Sequence, residues 1–384
     1  MGNLLAAPVT DKDTHSGRIE DEDIDFAVSS MQGWRVHMED AHIAEPKLYA
    51  TLEDNSTIKL PGHALFAVFD GHGGTYAAFY AGRNFCRVLS KQPKFVDYAK
   101  FVQERPTKES TLKEAEKVTY VRSGLELLEA ALRDAFVECD KEIGLALQGN
   151  PCADANQPYH PDQVYSDDED DDNNNDNGER KDRRHALGDI NDQGDSGTTA
   201  CMVLLTPDWM ICANAGDSRS VCSKAGHKAV PLSYDHKPDD EEEERRIRAA
   251  GGYVAGGRVE GDLAVSRGLG DYRFKSMNTV LAGAYPPSSS SSSAEQQDDG
   301  AEMTIMSPGD QKVSSIPDII VQNRNKETDE FIIVACDGIW DVQSNHECVS
   351  EVATLFSEGE SNVGLLCEEV SELLLVQRII ILRK

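Results

Sequence analysis

Short apolar runs that stop abruptly at aspartate and glycine set the rhythm of this chain from Phe26 onward. Residues 65–69, LFAVF, are too few for a helix and rich in β-formers, so they predict a buried strand. That run ends on Asp70, followed by Gly71, His72, Gly73 and Gly74. Glycines there permit tight turns or close approach of the backbone to a ligand. Residues 331–338, FIIVACDG, repeat the same grammar of apolar strand and terminal Asp-Gly. Residues 201–216, CMVLLTPDWMICANAG, predict a β-hairpin closing near Pro207 and Asp208.

Helical periodicity is confined to fewer places. In residues 123–144 it puts Leu125, Leu128, Ala131, Leu132, Ala135 and Phe136 on one face of an amphipathic helix. Residues 239–252, DDEEEERRIRAAGG, run from acidic to basic before glycine, as the helix macrodipole favours at its two ends. Trp34, Trp209 and Trp340 are expected in the core.

Other stretches carry no such pattern. Residues 1–22 are polar and expected as a flexible tail, leaving one domain over 23–384. Within it, SDDEDDDNNNDNGERKDRR at 166–184 has too little apolar surface to fold and predicts a disordered acidic insertion of about 150–192. Aligned as a calcium loop on Gly178, it begins with Asn173 and ends with Arg184 where Asp and Glu are needed, which excludes that reading. PPSSSSSSAEQQDDG at 286–300 predicts a second, Ser-rich insertion of about 283–312. No repeat array is evident.

Charge narrows the function. The 384 residues carry 68 acidic against 38 basic side chains, a net −30, which disfavours nucleic acid and anionic membranes as partners. A chain so acidic needs metal ions or local arginines to handle phosphates. Nine cysteines without paired or zinc-like spacing suggest reduced thiols, hence cytoplasm or nucleus by default. No apolar run has transmembrane length. Gly2 invites N-myristoylation, but Ala6 stands where Ser or Thr is preferred, so a plain terminus is the favoured reading.

Four segments at strand edges or in loops bring carboxylates: RVHMEDAH at 35–42, FDGHGG at 69–74, NAGDSRS at 214–220 and ACDGIWD at 335–341. Each alone is an ordinary turn. Together they offer oxygen ligands without a sulfur cluster, a donor set suited to Mg²⁺ or Mn²⁺. An aspartate bridging two such ions would let them activate a water.

These segments, with GDSGTTA, YDHKP and AAGGYVAGGRVEGDLAVSRGLGD, resemble in order and register the metal-dependent Ser/Thr protein phosphatases of the PP2C (PPM) type, across residues 29–342. The resemblance implies an α+β fold: a central sandwich of two antiparallel β-sheets flanked by α-helices. It also implies a monomer acting on phosphoproteins, with two Mg²⁺ or Mn²⁺ ions and a weaker third site. Carried over residue by residue, Asp70 matches the carboxylate bridging both ions, Gly71 a carbonyl ligand and Asp337 a ligand of the second ion. Glu39 and Asp40 match acids holding metal-bound waters, and Asp217, Asp337 and Asp341 the third site. Arg35 matches the phosphate clamp and His72 the general acid. Asp271 is expected to order a loop rather than bind metal, and His42 stays open between a site role and a mere partner of water or carboxylate.

The end of the chain departs from the pattern. The family closes with a strand opened by D-N-x-[ST], whose aspartate is a further ligand of the second ion, but no Asp follows Asp341 here. Residues from Val376 onward, with their IIIL run, can supply the last strand while bringing Arg378 where a carboxylate is expected. His37, between Arg35 and Glu39, is a milder departure. Two readings follow: an active metal-dependent phosphatase, or a pseudophosphatase that keeps the fold and binds phosphoproteins without turnover. A two-metal nuclease is disfavoured by the charge.

Overall fold

The computed structural model describes residues 4–155, 157, 195–276, 306–374 and 377–383. Its principal strands, in chain order, are β1 (Leu4–Ile19), β2 (Ile24–Arg35), β3 (Ala41–Glu45), β4 (Ala64–Phe69), β5 (Ala200–Leu205), β6 (Trp209–Ala215), β7 (Arg219–Lys224), β8 (Lys228–Pro231), β9 (Asp318–Asn323), β10 (Asp329–Ala335) and β11 (Arg378–Arg383). One antiparallel sheet has the order β1-β2-β11-β10-β7-β8, and the other β9-β6-β5-β4-β3. Helices α1 (Tyr76–Ser90), α2 (Pro93–Glu109) and α3 (Glu114–Leu147) pack on the second sheet or on one another. Helix α4 (Glu241–Ala249) lies in the connection after β8, and a one-turn helix α5 (Asp337–Trp340) follows β10. Helices α6 (Asn345–Ser357) and α7 (Val363–Leu374) cover the first sheet. This is the expected α+β sandwich flanked by helices.

The apolar runs are continuous because both faces of these strands are buried. In β4, Phe66 and Val68 point into the core between the sheets, while Leu65, Ala67 and Phe69 point to the layer under α1 and α3. In β10, Ile332 and Val334 face the inter-sheet core, and Phe331, Ile333 and Ala335 face α6 and α7. The 201–216 hairpin forms as expected, closed by the Thr206 N–H donating to the Trp209 carbonyl and the Trp209 N–H donating to Thr206 Oγ1, each at 2.9 Å. The amphipathic face of α3 is buried as read apart from half-buried Leu125, although the helix begins earlier, at Glu114.

Two expectations are corrected. Residues 4–19 of the supposed flexible tail form edge strand β1, laddered to β2 and touched by α7, with Lys12 Nζ 2.8 Å from Glu372 Oε2. Its polar side chains suit an exposed edge, which backbone pairing stabilises without an apolar pattern. Trp34 is 41% exposed at the end of β2, unlike the buried Trp209 and Trp340. The acidic and Ser-rich insertions lie outside the described residues except at their margins, as does Gly2. Among the described residues no helix is long and apolar enough to cross a membrane.

Candidate functional site

The ends of β2, β4, β6 and β10 meet at one end of the sandwich. Antiparallel pairing makes this unavoidable: Phe69 lies opposite Ala41, Ala335 opposite Arg219 and opposite Ile379. Each predicted segment therefore delivers its acid to the same place.

Asp70 is fixed through its backbone. Its N–H donates to Thr199 Oγ1 at 3.2 Å, and its carbonyl accepts from the Thr199 N–H at 3.0 Å and from Thr198 Oγ1 at 3.1 Å. Thr199 Oγ1 in turn lies 2.7 Å from Ser218 Oγ, coupling the Asp70 turn to the Asp217 turn. Gly71 is needed for space: a Cβ there would stand 2.1 Å from the Glu39 carbonyl oxygen. This close packing lets the 39–40 segment reach the end of β4.

The carboxylates crowd one another. Burial raises the Asp70 carboxyl well above its ordinary range, and the charges of Asp40, Asp337 and Asp217 raise it further. Burial also pushes Asp337 up to about 6, with Asp217 and Asp341 adding to the effect. Asp40 is only 1% exposed, and its Oδ1 has no hydrogen-bond partner, while Oδ2 accepts from Cys336 Sγ at 3.1 Å. Burial raises Asp40 as well, partly offset by Arg378, Cys336, the Gly71 N–H and Arg35.

Two cations of the chain already address this cluster. Lys237, from the YDHKP segment, donates to Asp217 Oδ2 at 2.6 Å. Arg378 opens β11, is 8% exposed, and donates through Nη1 to His42 Nδ1 at 2.5 Å. Burial and then the Arg378 charge hold the His42 pKa well below its ordinary value, which keeps that ring a neutral acceptor.

His72 stands beside the acids, with Nε2 2.9 Å from Asp271 Oδ1. Asp271 adopts a left-handed backbone, φ 56°, and its carboxylate tucks against Gly197, where a Cβ would come within 2.3 Å of it. Burial lowers the His72 pKa, but the charge and hydrogen bond of Asp271 outweigh it, with Asp217 and Glu39 adding, so the net shift is upward. The protonated ring is thereby favoured more than in a free histidine. Arg35 ends β2 with an exposed side chain whose charge reaches Asp40 and Asp337.

The structure thus gathers Asp40, Asp70, Asp217, Asp337 and Asp341, with Arg35, Glu39 and His72 at their margin. As the side chains stand, no three His, Cys, Asp or Glu among the described residues are close enough to hold a metal ion. The donor set nevertheless fits hard divalent cations: all oxygen, mutually repelling, with Asp40 and Asp217 buried, Asp70 and Asp337 half-buried, and an orphaned carboxylate oxygen at Asp40. Sequence reasoning missed three partners, namely Asp271 for His72, Lys237 for Asp217 and Cys336 for Asp40. Their contacts span long separations in the chain, or in the case of Lys237 lie in a quoted segment given no role.

The protein phosphatase 2C family model matches residues 24–138 and 133–377. The chain is 34% identical over 375 residues to protein phosphatase 2C homolog 2 of Hypocrea jecorina, covering 97% of this chain and 62% of that protein. It is 33% identical over 370 residues to probable protein phosphatase 2C T23F11.1 of Caenorhabditis elegans, covering 96% and 73%. Several of these curated relatives are longer, and the chain spans about three-fifths of their length. A solved serine-threonine phosphatase 2C from Toxoplasma gondii shares the fold, with TM-score 0.56, 17% identity, and 99% and 97% of the two chains covered. The matched segments, the sandwich they build and the acids gathered at its end agree: the chain belongs to the protein phosphatase 2C family.

Proposed function

We propose that this chain hydrolyses phosphoserine and phosphothreonine in proteins with the help of a pair of Mg²⁺ or Mn²⁺ ions. The observation that carries the reading is the crowding of half-buried Asp70 by Asp40, Asp217 and Asp337 beside the His72–Asp271 pair. Asp70, the Gly71 carbonyl and Asp337 would hold the ions, Glu39 and Asp40 would hold water around them, and Asp217, Asp337 and Asp341 offer a weaker third position. Bound there, the ions supply charge neutralisation for the phosphate dianion and a water acidic enough to attack near neutrality.

The chain's own residues supply the rest. Exposed Arg35 presents a planar fork of donors suited to two phosphate oxygens. His72, held at Nε2 by Asp271, has Nδ1 left to hand a proton to the departing serine or threonine oxygen. Without that proton the alkoxide is a poor leaving group.

One observation favours a second reading. Arg378 sits at the start of β11, where the family resemblance calls for a carboxylate, so the chain could bind phosphoproteins without turning them over. Phosphate release from a phosphothreonine peptide decides between the two. Activity in Mn²⁺ that disappears with chelator and in Asp70→Asn supports the enzyme. A folded chain that releases no phosphate at millimolar Mn²⁺, yet retains the phosphopeptide, supports the binding module.

A further inference from the structure

Arg378 is placed as few arginines are. Its strand neighbours Ile379–Leu382 are fully buried, and the residue itself is only 8% exposed. Among the described residues only Nη1 has a side-chain hydrogen-bond partner, the imidazole His42 Nδ1 rather than a carboxylate. Arg378 Nε is buried with no hydrogen-bond partner. Nearby, Asp40 is 1% exposed with Oδ1 equally unpartnered. The two groups feel each other's charge, yet no ion pair within 4 Å joins them among the described residues.

A buried guanidinium with a spare N–H and a buried carboxylate with a spare oxygen are each costly alone. Side by side they offset one another through space, without the direct contact that would close the carboxylate to another ligand. Asp40 would attract a divalent ion, and the charge of Arg378, which acts on the same carboxylate, would oppose it. The backbone explains why the charge is fixed: the Arg378 carbonyl accepts from the Cys336 N–H at 3.4 Å, and β11 is clamped between β2 and β10.

We propose that Arg378 is a built-in counter-ion of this acidic end, balancing Asp40 when no divalent ion is bound and weakening the hold on the ion nearest Asp40. The inference rests on the metal-dependent reading above. It turns the altered C-terminal strand from a simple loss of a ligand into a setting of metal affinity. A chain of this kind holds its acids in place with little metal and fills the centre only when divalent ion is plentiful.

The test is calorimetric titration of Mn²⁺ into the full chain, with thermal melting in chelator and in Mn²⁺. Variants are Arg378→Met, Arg378→Lys and, as a baseline, Asp70→Asn. Arg378→Met should bind Mn²⁺ about tenfold more tightly, because one positive charge near a divalent ion is gone. It should also melt lower in chelator, whereas Arg378→Lys should track the parent chain in both readouts. Parent binding that depends on Asp70, with Arg378→Met no tighter, overturns the counter-ion and leaves the metal-dependent reading standing. Absence of Mn²⁺ binding in the parent and in Arg378→Met overturns both. Should Arg378→Met fail to fold, Asp40→Asn/Arg378→Met decides: folding regained in chelator supports the pairing, and continued unfolding overturns it.

Discussion

The His72–Asp271 pair is held from behind by a buried ion pair, and breaking that pair should unlatch it. Lys275 Nζ lies 2.9 and 3.0 Å from the two oxygens of Asp140, with side-chain exposures of 1% and 4%. Asp140 Oδ1 also accepts from the Gly270 N–H at 2.8 Å, immediately before Asp271. Asp140→Asn keeps an acceptor for Gly270 but leaves the Lys275 ammonium with the Gly268 carbonyl, 3.0 Å away, as its other partner. Removing one member of such a pair costs about 3–5 kcal/mol, because an uncompensated charge stays buried. With an unfolding entropy of roughly 2.1 cal/mol/K per residue over 384 residues, that corresponds to a fall in melting temperature of about 4–6 °C. Differential scanning calorimetry measures it directly. Asp140→Asn/Lys275→Met removes the stranded charge and should recover most of the loss. A single variant that melts within about 1 °C of the parent, or a double variant no better than the single, would refute this account of the latch.

Three further outcomes follow from the same geometry. Gly71→Ala forces a Cβ to within 2.1 Å of the Glu39 carbonyl oxygen, so chemical denaturation should show a loss of about 1–3 kcal/mol, and Mn²⁺ titration a weaker site. Burial pushes the Glu243 carboxyl up, but hydrogen bonds and charge from Arg267 and Arg246 outweigh it and hold it at about 2, against an ordinary 4.5. A depressed acid stabilises above its unfolded pKa and loses that contribution as pH falls through the folded one. The parent should therefore shed about 3 kcal/mol between roughly pH 4.5 and pH 2, and Glu243→Gln should flatten that limb of the stability–pH curve. For His72 the sign is reversed, since its pKa is raised in the fold: the stabilisation by Asp271 is fully present below the unfolded pKa of about 6.5 and fades as pH rises through the folded value. Melting of Asp271→Asn against pH should show its deficit at acid pH and convergence with the parent at alkaline pH; a deficit that grows with pH would refute the pairing.

What could be read in advance followed burial. Strands β4, β5, β6 and β10 were legible because both of their faces are covered, which turns them into unbroken apolar runs ending in Asp or Gly. Strand β1 was not, because an edge strand is held by its ladder to β2 and needs no apolar face of its own. The start of α3 was missed for a related reason: Glu114 to Tyr120 are partly or fully exposed, so no periodic apolar face announces them. In the site, the motif acids were legible one by one, but their partners were not. Asp271 lies 199 residues from His72, and the small ladder joining 71–72, 197–198 and 269–270 brings the two together.

The last strand shows how far fold and chemistry can separate at such a site. Inserting β11 between β2 and β10 requires only that Ile380 and Leu382 face the inter-sheet core and that Ile379 and Ile381 face α6 and α7. The apolar run meets that demand whatever precedes it. Arg378 lies one residue outside the demand, at the point where the strand reaches the acids, so it can change charge while the sheet stays closed. The same independence should appear in experiment. Substitutions at Ile379–Leu382 should lower stability with the cavity they leave, about 2–5 kcal/mol for truncation to Ala. Charge-changing substitutions at Arg378 should move the Mn²⁺ affinity more than the midpoint of unfolding in saturating Mn²⁺. Were Arg378 and the apolar run equally costly to replace under saturating metal, the strand's first residue would be part of the fold's own requirement, and the separation argued here would fail.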